Sequence, residues 1–248
     1  MAVFAIAMLM GVALVSLIPD FDYDGTDASE KYTGTPEDDS FDGGGGNDLI
    51  IGYEGDDTLS GSQGDDWLIG HDGNDDLSGG DGDDVIIGGA GVDNIHAGSG
   101  NDFVEAANIA DQDALQSSID EASGFADINF DYDLPGQSDE GDTITLGEGD
   151  DTAVIGSNDT LTSGAGADEI TLGDWITVGS PASITDFDPQ EDMLLFSHDS
   201  NTPEPEISLH HDETTNTTEV RADNAVIATL DNPISEVSLS NIRVNSYA

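Results

Sequence analysis

The chain has 248 residues, with 54 acidic side chains against 3 basic ones and a formal charge of -51. That balance excludes nucleic acid and anionic lipid headgroups as partners, because phosphate recognition draws on Lys and Arg. There is no cysteine, which excludes a disulfide framework and any thiolate metal site.

Residues Ala2 to Pro19 (AVFAIAMLMGVALVSLIP) carry no charge. At ~1.5 Å rise per residue they reach roughly 27 Å as a helix, close to the hydrocarbon thickness of a bilayer. No Lys or Arg precedes the run and no Ala-x-Ala precedes Asp20. Residues 1–19 therefore read as a retained transmembrane helix in preference to a cleaved signal peptide. The acidic, polar stretch 20–33 reads as a linker.

A nine-residue period follows. Seven units run from Gly43 to Glu105: GGGGNDLII, GYEGDDTLS, GSQGDDWLI, GHDGNDDLS, GGDGDDVII, GGAGVDNIH and AGSGNDFVE. The fourth place is Gly throughout. The sixth is Asp (Asp48, Asp57, Asp66, Asp75, Asp84, Asp93, Asp102) and the eighth is aliphatic (Ile50, Leu59, Leu68, Leu77, Ile86, Ile95, Val104). A degenerate unit from Gly34, GTPEDDSFD, adds Asp39 and Phe41 but has Glu37 at the fourth place.

This pattern resembles the G-G-x-G-x-D-x-U-x nonapeptide of the RTX, or hemolysin-type, family, which builds a parallel β-roll and binds calcium. The resemblance implies two nonapeptides per turn, so that residues 18 apart stack. It also implies an inward ladder of eighth-place side chains, and Asp at the sixth place as the carboxylate ligand, with backbone carbonyls supplying most other ligands. Stacking sorts Asp48, Asp66, Asp84 and Asp102 onto one edge and Asp39, Asp57, Asp75 and Asp93 onto the other. One ion per stacked pair gives about six in the block 34–105. Dense hard oxygen ligands suit calcium better than zinc or copper. A chain of this charge is expected to be loose without the ion and folded with it.

The seventh and ninth places point outward. In alternate units they are apolar: Leu49 and Ile51, Trp67 and Ile69, Val85 and Ile87, then Phe103. In the units between they are polar. A continuous apolar ladder is rarely left in water. It is expected to be covered either by another part of the chain or by a protein partner anchored at Trp67 and Phe103.

Residues 106–139 break the period, and Ile109, Leu115, Ile119 and Ala122 recur at helical spacing, so a short helix is expected over Asn108 to Ser123. A weaker repeat block, 140–175, places Asp142, Asp151, Asp159 and Asp168 two residues before Ile144, Ala153, Leu161 and Ile170. It is expected to add weaker or fewer ions. The tail, 176–248, alternates as strands around an Asp223-Asn224 turn and reads as an antiparallel β cap. Within it, Ile184 to Phe196 resembles the strand-turn-strand that follows the repeats in RTX proteins.

No H-E-x-x-H and no G-x-S-x-G occurs, and His71, His96, His198, His210 and His211 fit no catalytic pattern. The expected fold is all-β: a parallel β-roll with a C-terminal antiparallel cap, one inserted helix and one N-terminal transmembrane helix. The expected role is non-catalytic, a calcium-binding accessory subunit docked on an integral membrane complex. Because extracellular calcium modules work at ~10⁻⁴–10⁻³ M, the acidic domain is oriented to the periplasm of a bacterial inner membrane. The alternatives are a secreted adhesin or matrix protein, or a calcium module of a secreted enzyme. No small-molecule substrate and no cofactor besides calcium are expected.

Overall fold

The computed structural model describes residues 22–109, 141–231 and 237–247. Twenty strands follow in chain order: β1 (Asp22–Thr26), β2 (Lys31–Thr33), β3 (Ser40–Gly44), β4 (Leu49–Glu54), β5 (Thr58–Gln63), β6 (Trp67–Asp72), β7 (Asp76–Asp81), β8 (Val85–Ala90), β9 (Asn94–Ser99) and β10 (Phe103–Glu105). After residues 106–142 come β11 (Thr143–Glu148), β12 (Thr152–Val154), β13 (Thr160–Ala165), β14 (Glu169–Gly173), β15 (Ala182–Thr185), β16 (Met193–Asp199), β17 (Ile207–Asp212), β18 (Thr217–Ala222), β19 (Ala225–Leu230) and β20 (Ile242–Tyr247).

Odd and even strands separate into two sheets. The first runs β1-β3-β5-β7-β9-β11-β13-β15-β19-β18-β17, the second β2-β4-β6-β8-β10-β12-β14-β16-β20. Pairing is parallel through the roll, and in the main block the register advances by 18 residues per rung, as in Leu59↔Leu77 and Leu68↔Ile86. That step puts every eighth-place aliphatic side chain above another. Phe41, Leu59, Leu77, Ile95, Ile144, Leu161 and Ile184 from the first sheet face Tyr32, Ile50, Leu68, Ile86, Val104, Ala153, Ile170 and Leu194 from the second in one core. Each full-sized aliphatic buried this way contributes roughly 1.5–3 kcal/mol.

The roll is continuous across residues 106–142. β11 pairs with β9 (Ile144↔Ile95) and β12 with β10 (Ala153↔Val104), both in parallel. It also starts earlier than the repeat pattern, because the stretch expected as a linker carries β1 and β2. It ends later, because β15, β16 and β20 add parallel rungs. The strands flanking Phe187 to Asp192 therefore belong to different sheets. Only the pairings β17–β18 and β18–β19 are antiparallel, and β19 joins β15 in parallel. Asp223 and Asn224, with φ of 49° and 72°, form the tight turn between β18 and β19.

The expectation of helices is corrected. Among the described residues the only helical element is a 3₁₀ turn, Leu239–Asn241, and no helix is long and apolar enough to cross a membrane. The segment Ala2 to Pro19 lies outside the described residues. The single-pass inner-membrane placement is corrected with it, since no described element supports a span. The insertion helix fails at its start. Asn108 has φ 49°, a left-handed conformation that does not open a right-handed helix, and Ile109 is not helical either. Instead Glu105 Oε1 accepts the N–H groups of Ala107 and Ile109 and holds the exit from β10. The remainder of that expected helix lies outside the described residues.

Candidate metal centre

The loops between the sheets form two edges. On the first edge, leading from the first sheet to the second, lie Asp48, Asp66, Asp84, Asp102, Asp151 and Asp168. On the second edge lie Asp39, Asp57, Asp75, Asp93, Asp142 and Asp159. All twelve are buried, at 4 % exposure or less, because the sixth-place side chain turns back beneath its own loop while the eighth enters the core.

On both edges a carboxylate oxygen ties each rung to the one before it, from Asp48 and Asp57 onward. Asp48 N–H donates to Asp66 Oδ1 at 2.6 Å, Asp66 to Asp84 at 2.8 Å and Asp84 to Asp102 at 2.8 Å. Across the insertion Asp102 N–H reaches Asp151 Oδ1 at 2.8 Å, and Asp151 N–H reaches Asp168 at 2.9 Å. The second edge runs the same way from Asp39 through Asp57, Asp75 and Asp93 to Asp142 and Asp159.

The other oxygen divides the set. Oδ2 of Asp48, Asp57, Asp66, Asp75, Asp84, Asp93, Asp102, Asp151 and Asp168 is buried and has no hydrogen-bond donor. Nine such atoms in one fold are far outside normal protein practice, since a buried polar atom without a partner costs about 1–3 kcal/mol and a charged one more. Asp39 and Asp159 differ: Oδ2 of Asp39 accepts Thr35 N–H at 2.6 Å, and Oδ2 of Asp159 accepts Gly156 N–H at 2.7 Å. Asp142 leaves no buried unpartnered Oδ2.

Electrostatics agree with geometry. Burial pushes Asp48, Asp93 and Asp102 up to about 6, Asp57, Asp75 and Asp168 up to about 7, and Asp84 up to about 8. The rung-to-rung N–H bonds work against the rise, and in most of them neighbouring carboxylates add to it. Asp66 and Asp151 are raised for the same reason. A cation beside Oδ2 would reverse this balance.

The first-place glycines shape the space. A Cβ built on Gly52 would lie 2.0 Å from Asp57 Oδ2 and 2.9 Å from the Gly70 carbonyl oxygen; on Gly70, 2.2 Å from Asp75 Oδ2 and 2.5 Å from Gly88 O; on Gly79, 2.3 Å from Asp84 Oδ2 and 2.5 Å from Ala97 O. At these rungs the unpartnered oxygen and a carbonyl from the next rung thus face one small volume beside the glycine, while Ala97, Leu146 and Ser163 hold the same place at Asp102, Asp151 and Asp168. Among the described residues no three His, Asp or Glu side chains converge. A cation here would draw on a carboxylate oxygen and backbone carbonyls, a donor set suited to calcium.

Two features escaped sequence reasoning. The first-edge ladder extends to Asp192, whose Oδ1 accepts Asp168 N–H at 3.1 Å across 24 residues; that step hides it from a nine-residue period. A second ladder uses the fifth place and runs the opposite way. Asp56 N–H donates to Asp38, Asn74 to Asp56, Asp83 to Asp65, Asn101 to Asp83 and Asp150 to Asn101.

The apolar ladder is not an open patch. Leu49, Ile51, Ile69 and Ile87 are buried, while Trp67, Val85 and Phe103 are half-buried. Phe103 and Trp175 pack against Ala107, Ile109 and Val154. His71, in a repeat loop, stacks on Tyr53 with centroids 5.5 Å apart. His198 and His211 each sit within hydrogen-bond distance of a backbone carbonyl through Nδ1.

Comparison with known proteins matches the repeats by sequence. The family model for the RTX calcium-binding nonapeptide repeat matches four times, over residues 24–59, 33–68, 69–104 and 156–174. No curated protein matches the chain. Among solved structures, the AlgE6R3 subunit from the Azotobacter vinelandii mannuronan C5-epimerase is similar at 17% identity, over 94% of this chain and 83% of that one, with a TM-score of 0.20. At that score the likeness carries no argument. The repeats carry it: residues 24–104 and 156–174 are RTX calcium-binding nonapeptide repeats.

Proposed function

We propose that the chain is a calcium-stabilised structural module of an exported protein, an adhesin, matrix component or accessory module, with an architectural role and no catalysis of its own. The observation that carries this reading is the set of nine buried carboxylates with an unpartnered Oδ2. They are locked between rungs, out of reach of a substrate, and spaced along both edges of the stack. When bound, calcium supplies positive charge at each of these oxygens and cross-links adjacent loops. Seven of the nine lie in residues 34–105, close to the six ions expected from pairing alone, and Asp151 and Asp168 add the weaker block's share.

Export follows from the affinity class: loops of this kind fill where calcium reaches ~10⁻⁴–10⁻³ M. The absence of cysteine fits a chain whose cross-links are ionic. The test is a calcium titration of the chelated chain, followed by far-ultraviolet circular dichroism and small-angle scattering. The expected result is gain of β signal with contraction of the chain, cooperative in calcium and not reproduced by magnesium. The same spectrum and dimensions in excess chelator sink the reading.

A further inference from the structure

The ladders do not end as they run. On the first edge the rung before Asp48 is Glu30, whose N–H donates to Asp48 Oδ1. Its carboxylate accepts both the N–H and the hydroxyl of Thr26, at 3.1 and 2.9 Å. On the second edge the first rung is Asp39, whose Oδ2 accepts both the N–H and the hydroxyl of Thr35, at 2.6 and 3.1 Å. At the far ends the pattern returns. Asp192 Oδ2 accepts Asp188 N–H at 2.7 Å and the Ser163 hydroxyl at 3.3 Å, and Asp159 Oδ2 accepts Gly156 N–H at 2.7 Å. All four row ends carry an amide where the nine rungs with an unpartnered Oδ2 carry none.

One backbone angle sorts the two kinds of loop. The second place of a unit has positive φ at every one of the nine rungs with an unpartnered Oδ2, from Gly44 (87°) through Tyr53 (82°), Ser62 (75°) and His71 (79°) to Gly164 (98°). None of Thr26, Thr35, Gly156 and Asp188 has positive φ. The cause is written in the residues. Thr is β-branched and resists the left-handed region. Thr35 and Asp188 each precede a proline, Pro36 and Pro189, which holds them in extended conformations. The Gly156 loop is one residue shorter, since Asp151 and Asp159 are 8 apart where the repeat has nine.

We propose that each calcium row is closed at both ends by a plug made of the chain itself, a second-place N–H seated on the carboxylate oxygen that interior rungs leave for the cation. This rests on the calcium reading above and deepens it. The plugs bound the rows, so that calcium is taken up only from Asp48 to Asp168 on one edge and between Asp39 and Asp159 on the other. They also hold the outermost rungs of each ladder together without metal, next to the strands that cap the repeat stack.

The test counts bound calcium by native mass spectrometry. In the wild-type chain Asp39→Asn is expected to leave the count unchanged, while Asp84→Asn lowers it by one. The double variant Thr35→Gly/Pro36→Glu, which gives this loop the G-x-E-x start of the Gly52 unit, is expected to raise the count by one. Adding Asp39→Asn to it removes the gained ion. A lower count in Asp39→Asn alone, or no gain in the double variant while it retains the β spectrum, overturns the plug. Absence of bound calcium from the wild-type chain overturns the function reading instead, so the two failures are distinct.

Discussion

The backbone N–H of Asp93 donates to Oδ1 of Asp142 at 2.7 Å, although 49 residues separate them. The bond is of the same kind, and nearly the same length, as that between Asp75 and Asp93, 18 residues apart. The chain therefore leaves the stack after β10 and rejoins it one rung on with the ladder unbroken. Two blocks that the period separates form one roll, and the first edge carries its unpartnered carboxylates from Asp48 to Asp168 without interruption.

This bond is expected to be worth measuring directly. Asp142→Ala leaves the buried Asp93 N–H without its acceptor and should cost about 1–3 kcal/mol. Urea unfolding at fixed calcium concentration checks it. A change within about 0.5 kcal/mol, the usual range for surface substitutions, would show that the two blocks are energetically independent.

A glycine in the cradle should be far more sensitive than a glycine in open space. Gly79→Ala places a Cβ 2.3 Å from Asp84 Oδ2 and 2.5 Å from the backbone oxygen of Ala97, and a backbone oxygen does not yield easily. The expected result is a strain cost of about 1–3 kcal/mol, read from the urea midpoint at fixed calcium. Gly179→Ala is the control: φ is 96° but nothing lies within 4 Å, so its cost is conformational alone.

The sequence pattern made much of this legible, for physical reasons. An inward side chain must be aliphatic at every turn, so Leu59, Leu77 and Ile95 announce the core and the 18-residue step together. A buried carboxylate that needs a metal is equally constrained, which is why the sixth-place aspartates stand out. What stayed hidden depends on backbone conformation or on tertiary cover. The fifth-place ladder of Asp56, Asn74 and Asp83 looks like ordinary solvated polarity. The plugged rungs keep their acidic residue, and only Thr26, the Thr35-Pro36 and Asp188-Pro189 pairs and the 8-residue step from Asp151 to Asp159 mark them. That Ile51, Ile69 and Ile87 would be covered was legible from their apolarity, but not by what, because outward-facing places in a strand say nothing of what lies over them.

The second place offers a gain in stability. Ser62 has φ 75°, where a residue with a Cβ is held at a cost of roughly 1–2 kcal/mol, and Gly occupies the equivalent place in Gly44, Gly80 and Gly98. Ser62→Gly gives up the hydroxyl's contacts with Asp42 and Ser60 and should still stabilise the calcium-loaded fold by about 0.5–1 kcal/mol. The urea midpoint at fixed calcium measures this, and a fall in the midpoint refutes it. Gly80→Thr is expected to act in the opposite direction and more strongly, since a Cβ there lies 2.2 Å from Ser62 O.

The metal-free chain should respond to pH in the direction opposite to most acidic proteins. The cited aspartates are held up to about 6 to 8 by burial, above the ordinary value near 3.9 that they regain on unfolding. The native state therefore binds more protons than the unfolded one, and stability falls as pH rises. The contribution is fully present below about pH 4 and is lost progressively up to about pH 8. Chelated chain should accordingly be most ordered in mild acid and unfold on raising the pH through 6 to 8. Added calcium favours the ionised carboxylates and should flatten this dependence. Circular dichroism against pH, with chelator and with calcium, checks both halves. Stability of the chelated chain that rises with pH between 5 and 8 would mean that these carboxylates are not buried as described.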